Sequence, residues 1–135
     1  MYVRYVAWLK CVPDKQKLSR ERVLLDSENV ESIDEIDMPD IHNLEHVVEW
    51  LRELGFCNFS ESYFVSLRWE QISSWITAMR YSLQPKVVSL IMDLSREYAH
   101  QANISKVYLC PSPYNSEEMI NARREETQRK LRAAF

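Results

Sequence analysis

A single glycine, Gly55, serves all 135 residues. Glycine supplies the left-handed backbone that tight β-turns and phosphate-cradling loops use again and again. A chain with one glycine therefore points to a mainly α fold and away from nucleotide-cradling loops. The length suits one domain spanning 1–135, large enough to bury a core without a metal or disulfide staple. At 46% hydrophobic and 27% charged residues, the composition is that of a soluble globular protein. Four Trp and seven Tyr supply aromatic area for contact surfaces as well as for a core.

The three cysteines, Cys11, Cys57 and Cys110, are odd in number and form no CxxC pair. This spacing supports neither a zinc ribbon nor a redox dithiol, and it fits a reducing cytoplasm. The opening "MYVRYVAWLKCV" has too short an apolar run for a signal peptide, and no window reaches the length of a membrane helix. The expectation is a cytoplasmic protein, acting away from membranes.

Local patterns place the elements. Residues 2–11 are rich in Tyr, Val and Trp and read as a strand; "LSRERVLL" reads as either a returning strand or a short helix capped by Ser19. A short β-hairpin or strand pair near the N-terminus, within 1–25, is thus expected beside the helices. Residues 26–39 read as an acidic loop. A helix is expected over 40–54, with Asp40 as its N-cap, Ile41, Leu44, Val47, Val48, Leu51 and Leu54 on one face, and Gly55 as its C-cap. "FCNFSESYFVSL" bridges to a helix over 67–81, and Pro85 opens another over 85–102. The short link makes these two a central helical hairpin, packed antiparallel or steeply crossed. "KVYLCPSPY" reads as a short strand or extended segment, and Asn115 with Glu118 as a capping box opening a charged tail helix over 115–135.

Candidate chemistry is sparse. "HNLEH" sets His42 and His46 one helical turn apart, as in inverted zinc peptidases. Their face lies opposite Leu44, Val48 and Leu51, so they read as solvated histidines, and no metal site is assigned. No GxSxG occurs, and no cysteine has an evident histidine partner. The expectation is a non-enzyme without a cofactor.

Two stretches stand out as binding surfaces. Trp69, Ile72, Trp75, Ile76 and Met79 spread over a wide apolar arc, broader than one neighbouring helix covers, so the exposed members are candidates to anchor a partner or a second copy of the chain. Between Arg22 and Arg52 nine acids occur without a Lys or Arg. Within that run Glu31, Asp34, Glu35 and Asp37 are candidate contacts for a basic protein. The net charge of −3 gives no reason to expect nucleic-acid binding. A helix-turn-helix around Pro85 is a further alternative. Its second helix would offer only Lys86 and Arg96 as fixed cations.

The order Leu67-x-Trp69-Glu70-x-Ile72, Trp75, Leu83, Pro85, then Ile91-x-x-Leu94-Ser95-x-x-Tyr98, followed by "CPSPY" and an Arg-rich helix, resembles small helical tail assembly chaperones of tailed bacteriophages and prophages. The resemblance covers about residues 66–135. Where that group often has Trp-Glu after the proline, this chain has Lys86-Val87. The resemblance implies a non-enzymatic protein of the host cytoplasm that binds a tail-tube or tape-measure type subunit before the tail polymerises. The competing expectation is a phage-encoded inhibitor docking its acidic stretch on a basic host protein.

Overall fold

The computed structural model of the chain describes residues 1–29, 31, 37–41, 43–114 and 117–134. Among them are six helices and one two-stranded sheet: α1 (Tyr2–Lys10), α2 (Arg20–Glu28), α3 (Glu45–Leu54), β1 (Asn58–Ser60), β2 (Tyr63–Val65), α4 (Trp69–Met79), α5 (Pro85–Ile104) and α6 (Glu117–Ala134). The fold is mainly α with one small antiparallel β pair.

The first segment corrects the sequence expectation. Residues 2–10 form a helix, not a strand. Tyr2, Val3, Tyr5, Val6, Ala7 and Leu9 are all buried, so α1 is apolar on most of its circumference. A short, nearly continuous apolar run carries no period that separates strand from helix. Burial on two sides decides it. Tyr2, Val3 and Val6 join the main core with Val47, Val48, Leu51, Ile72 and Ile91, while Tyr5 and Leu9 join a second cluster with Leu25. Helix α1 thus stands between two cores. Its closest neighbour is α5, which also packs on β2 and, less closely, on α3. The expected α4–α5 hairpin is therefore not the organising pair. Its helices are consecutive, but α1 takes the long face of α5.

For "LSRERVLL" the helical alternative holds. The Ser19 hydroxyl accepts from the Arg22 amide at 3.2 Å, the hydrogen bond that opens α2. Helix α3 starts at Glu45, five residues later than expected, and Asp40 is not its cap. The left-handed backbone at Asn43 (φ 64°) interrupts the helix path between the two. The far end is as expected: Gly55 is the C-cap at φ 85°, its amide bonding back to Leu51 and Arg52. Helix α2 reaches Glu28 and so takes the start of the expected 26–39 loop, while residues 30 and 32–36 lie outside the described residues.

The strands sit at 58–65 and not near the N-terminus. Asn58 pairs with Val65, Phe59 with Phe64 and Ser60 with Tyr63. The two-residue turn, Glu61-Ser62, has positive φ at both positions (51° and 76°). That backbone matches the twist of a tight hairpin but normally selects Asn-Gly. Residues 105–109 turn rather than extend, so "KVYLC" is not a strand. Helix α6 is as polar as its sequence. Lys130 pairs with Glu126 at 2.9 Å, and the side chains described, Asn121 and residues 124–134, are all exposed. The Asn115 capping position lies outside the described residues.

Candidate protein-docking surface

The stretch carrying the phage-tail resemblance divides sharply between core and surface. Leu67, Ile72 and Ile91 are buried, and so is Ser95, whose hydroxyl donates to the Phe56 carbonyl at 2.7 Å and accepts from the Leu67 amide at 2.8 Å. One serine thereby ties the exit of α3 and the entry to α4 onto α5. One turn along, the Tyr98 ring stacks on Phe56 at 4.7 Å and 13°. Burial pushes the Tyr98 hydroxyl up to about 12 and the neighbouring Cys57 thiol up to about 11. Neither is a reactive group at neutral pH. Cys11 is likewise raised by burial, against the smaller opposing effect of Arg20.

Of the five candidate residues on α4, Ile72 is wholly core, and Trp75 and Ile76 are half-buried against it. The Trp75 indole donates to Glu53 Oε2 at 3.0 Å and packs edge-on with Trp50 (6.2 Å) and Tyr81 (5.1 Å). Trp69 and Met79, at 52% and 47% exposure, are left on the surface. They lie at opposite ends of α4, so the arc is not one continuous patch.

The sequence reading missed the aromatic hairpin. Phe59 and Tyr63 are 64% and 66% exposed, Val65 is also exposed, and Phe64 is half-buried beside Phe59 at 5.1 Å between ring centroids. The hairpin is held firmly. Asn103 on α5 grips both backbone groups of Phe64, its Oδ1 accepting at 2.8 Å and its Nδ2 donating at 2.7 Å. Asn58 exchanges two side-chain bonds with Gln71 of α4 at 2.5 and 3.0 Å, and Gln71 also accepts from the Arg68 amide. Lys106 reaches over the rings of Phe59, Tyr63 and Phe64 and donates to the Ser62 carbonyl in the turn. Because Asn103 takes the Phe64 backbone, Phe59–Phe64 is a non-hydrogen-bonded pair, and the Phe59 N–H and C=O face away from the sheet. Among the described residues no strand pairs with the outer side of β1, which is thus an edge carrying an exposed aromatic side chain. The legible signal was the pattern Phe59, Tyr63-Phe64-Val65 around a two-residue break; without Asn-Gly it did not read as a hairpin.

The acidic candidates are partly described. Glu31 and Asp37 are exposed, and the Asp37 carboxylate accepts from the Tyr114 hydroxyl at 3.4 Å; Asp34 and Glu35 lie outside the described residues. His46 is exposed with its ring edge-on to Trp50, and His42 lies outside the described residues. Among the described residues no three His, Cys, Asp or Glu side chains converge as metal ligands. No described helix is long and apolar enough to cross a membrane. In the helix-turn-helix reading, the first turn of α5 would face DNA; Val87 and Val88 there pack on the main core. Comparison with protein-family models, with curated proteins and with solved structures finds no match to this chain.

Proposed function

We propose that this chain is a non-enzymatic protein-binding factor of the phage tail assembly chaperone kind, holding an aggregation-prone tail subunit in the host cytoplasm until assembly. The observation that supports it is the open-edged hairpin, with Phe59 and Tyr63 displayed on a rigid mount and Trp69 exposed four residues after its end. An extended, apolar client segment adds to such an edge by main-chain hydrogen bonds and fills its aromatic flank. The residues of the phage-tail pattern serve this reading indirectly: Leu67, Ser95 and Tyr98 fix the hairpin and α4 against α5.

The test is co-expression with the tail-tube and tape-measure type proteins encoded nearest to this gene. Soluble yield and co-purification are compared for the wild type and Phe59→Ala/Tyr63→Ala/Trp69→Ala. The expected outcome is client solubility with the wild type and its loss with the triple variant, the variant itself remaining folded. Clients equally soluble with either protein would sink the proposal. The acidic-docking alternative draws on the exposure of Glu31 and Asp37 and expects capture of a basic protein that fails at high salt. A chaperone grip built on apolar contact keeps its client there.

A further inference from the structure

On α1 and α2, built from none of the hairpin residues, lies a groove of about 630 Å³. Its apolar walls are Trp8, Leu18, Val23, Leu24, Tyr108 and Leu109. Four of these are bare: Leu18 is 50% exposed, Val23 55%, Tyr108 62% and Leu109 83%. The walls are fixed in place. The Trp8 indole donates to the Cys110 carbonyl at 3.0 Å, and its ring lies under the Arg20 guanidinium at 4.9 Å. Arg20 also donates to the Val107 carbonyl at 2.8 Å, and the Asp14 amide to the Lys106 carbonyl at 2.9 Å. These bonds close the 105–110 turn onto the 11–19 loop. A site formed in advance does not spend binding energy on ordering itself.

The one charge that the described lining holds is a cation. Among the described residues Arg20 is the only charged side chain in its lining, and none of the described carboxylates lines it. The loop that supplies Pro13, Gln16 and Leu18 also carries Lys15 and Lys17, both exposed and in no ion pair among the described residues. Two acids of α2 are engaged elsewhere, Glu21 with Lys10 at 3.0 Å and Asp26 with Arg22 at 3.3 Å; Asp14 and Glu28, both exposed, stand against Lys15, Lys17 and Arg20. This basic margin contrasts with the acidic run between Arg22 and Arg52.

We propose that this groove is a docking site for a short segment of another protein that presents apolar side chains flanked by carboxylates. The apolar anchors fill the space between Val23, Leu24, Tyr108 and Leu109, and the flanking acids meet Lys15, Lys17 and the margin of Arg20. The proposal does not depend on the tail-chaperone reading, because the hairpin contributes nothing to the groove.

The probe is a random dodecapeptide display library selected on the immobilised full-length protein, followed by anisotropy titration of the best synthetic peptide. The expected result is enrichment of sequences that combine Leu, Ile or Phe with Asp or Glu. Binding should weaken at least about tenfold on Leu109→Asp, and by roughly three- to tenfold on Lys15→Glu/Lys17→Glu, the second loss shrinking at high salt. Circular dichroism checks that each variant is folded. The lysine double variant alters only exposed charges and decides the matter should Leu109→Asp misfold. No enrichment, enrichment of basic or uncharged peptides, or binding indifferent to both variants overturns the proposal. Peptides whose binding is lost in Phe59→Ala but kept in Leu109→Asp overturn it as well, and place the grip on the hairpin instead. Self-association abolished by Leu109→Asp, without peptide enrichment, overturns it in favour of a second copy of the chain.

Discussion

Two neighbouring residues on α4 carry opposite consequences. Trp69 is half exposed and Ile72 wholly buried, although both belong to the same apolar pattern. Replacing Ile72 by Ala opens a cavity among Leu51, Leu67 and Ile91 and should cost about 2–5 kcal/mol of folding stability. Replacing Trp69 by Ala removes a ring that is half in water already, and should shift stability by about 0.5 kcal/mol or less. Urea denaturation of the two variants side by side measures the difference. Equal losses would place Trp69 in the core and remove it from any docking surface. Ser95 shows how a residue without evident chemistry in the sequence becomes structural. Its serine is a poor core residue by composition, yet it is fully buried because two backbone groups, the Phe56 carbonyl and the Leu67 amide, converge on its hydroxyl.

At the scale of elements, the hairpin turn is the weakest fit between sequence and backbone. Glu61 and Ser62 both hold positive φ, a conformation that side chains with a Cβ resist. Exchanging Glu61-Ser62 for Asn-Gly should stabilise the protein by about 0.5–1 kcal/mol, read as a higher melting temperature. A lower melting temperature would show that the Lys106 contact to the Ser62 carbonyl depends on the native turn residues. This misfit is also why the hairpin was hidden: the strands announce themselves by aromatic and β-branched residues, but the turn lacks its usual signature. Helix α1 failed in the opposite direction. Its Tyr and Val residues favour strands locally, and burial between two clusters outweighs a preference that spans only about 1 kcal/mol.

For the whole molecule, the join between α3, the hairpin and α5 sets the response to alkali. Burial holds the Cys57 thiol and the Tyr98 hydroxyl neutral, raising them from 9.0 to about 11 and from 10.0 to about 12. In the unfolded chain both ionise earlier, so between the two sets of values the native state binds more protons than the unfolded one. Their contribution is fully present below about pH 9 and is lost as pH rises towards about 12. The urea midpoint should therefore fall steadily above about pH 9, and Cys57→Ala should remove the earlier part of the fall. A midpoint that declines identically in Cys57→Ala and Tyr98→Phe would assign the alkaline loss to other groups.

What the sequence determined by itself is what local interactions determine. One glycine set a mainly helical fold, and that same residue ends α3 because its left-handed backbone costs little only there. Pro85 opens α5 because a first-turn residue needs no amide donor. Of the face named by 3–4 residue spacing, Val47, Val48 and Leu51 are buried and Ile41 and Leu54 half-buried, while Leu44, just ahead of the helix, is exposed. Tertiary structure decided the rest. It made 2–10 a helix by surrounding it, assigned α1 rather than α4 to the long face of α5, and split one apolar arc into core and surface. It also brought Asn103 from the last turn of α5, and Lys106 from the turn after it, onto a hairpin some forty residues earlier in the chain. Periodicity reports which residues share a face. Which faces meet depends on the packing of elements distant in sequence, and no local pattern encodes that.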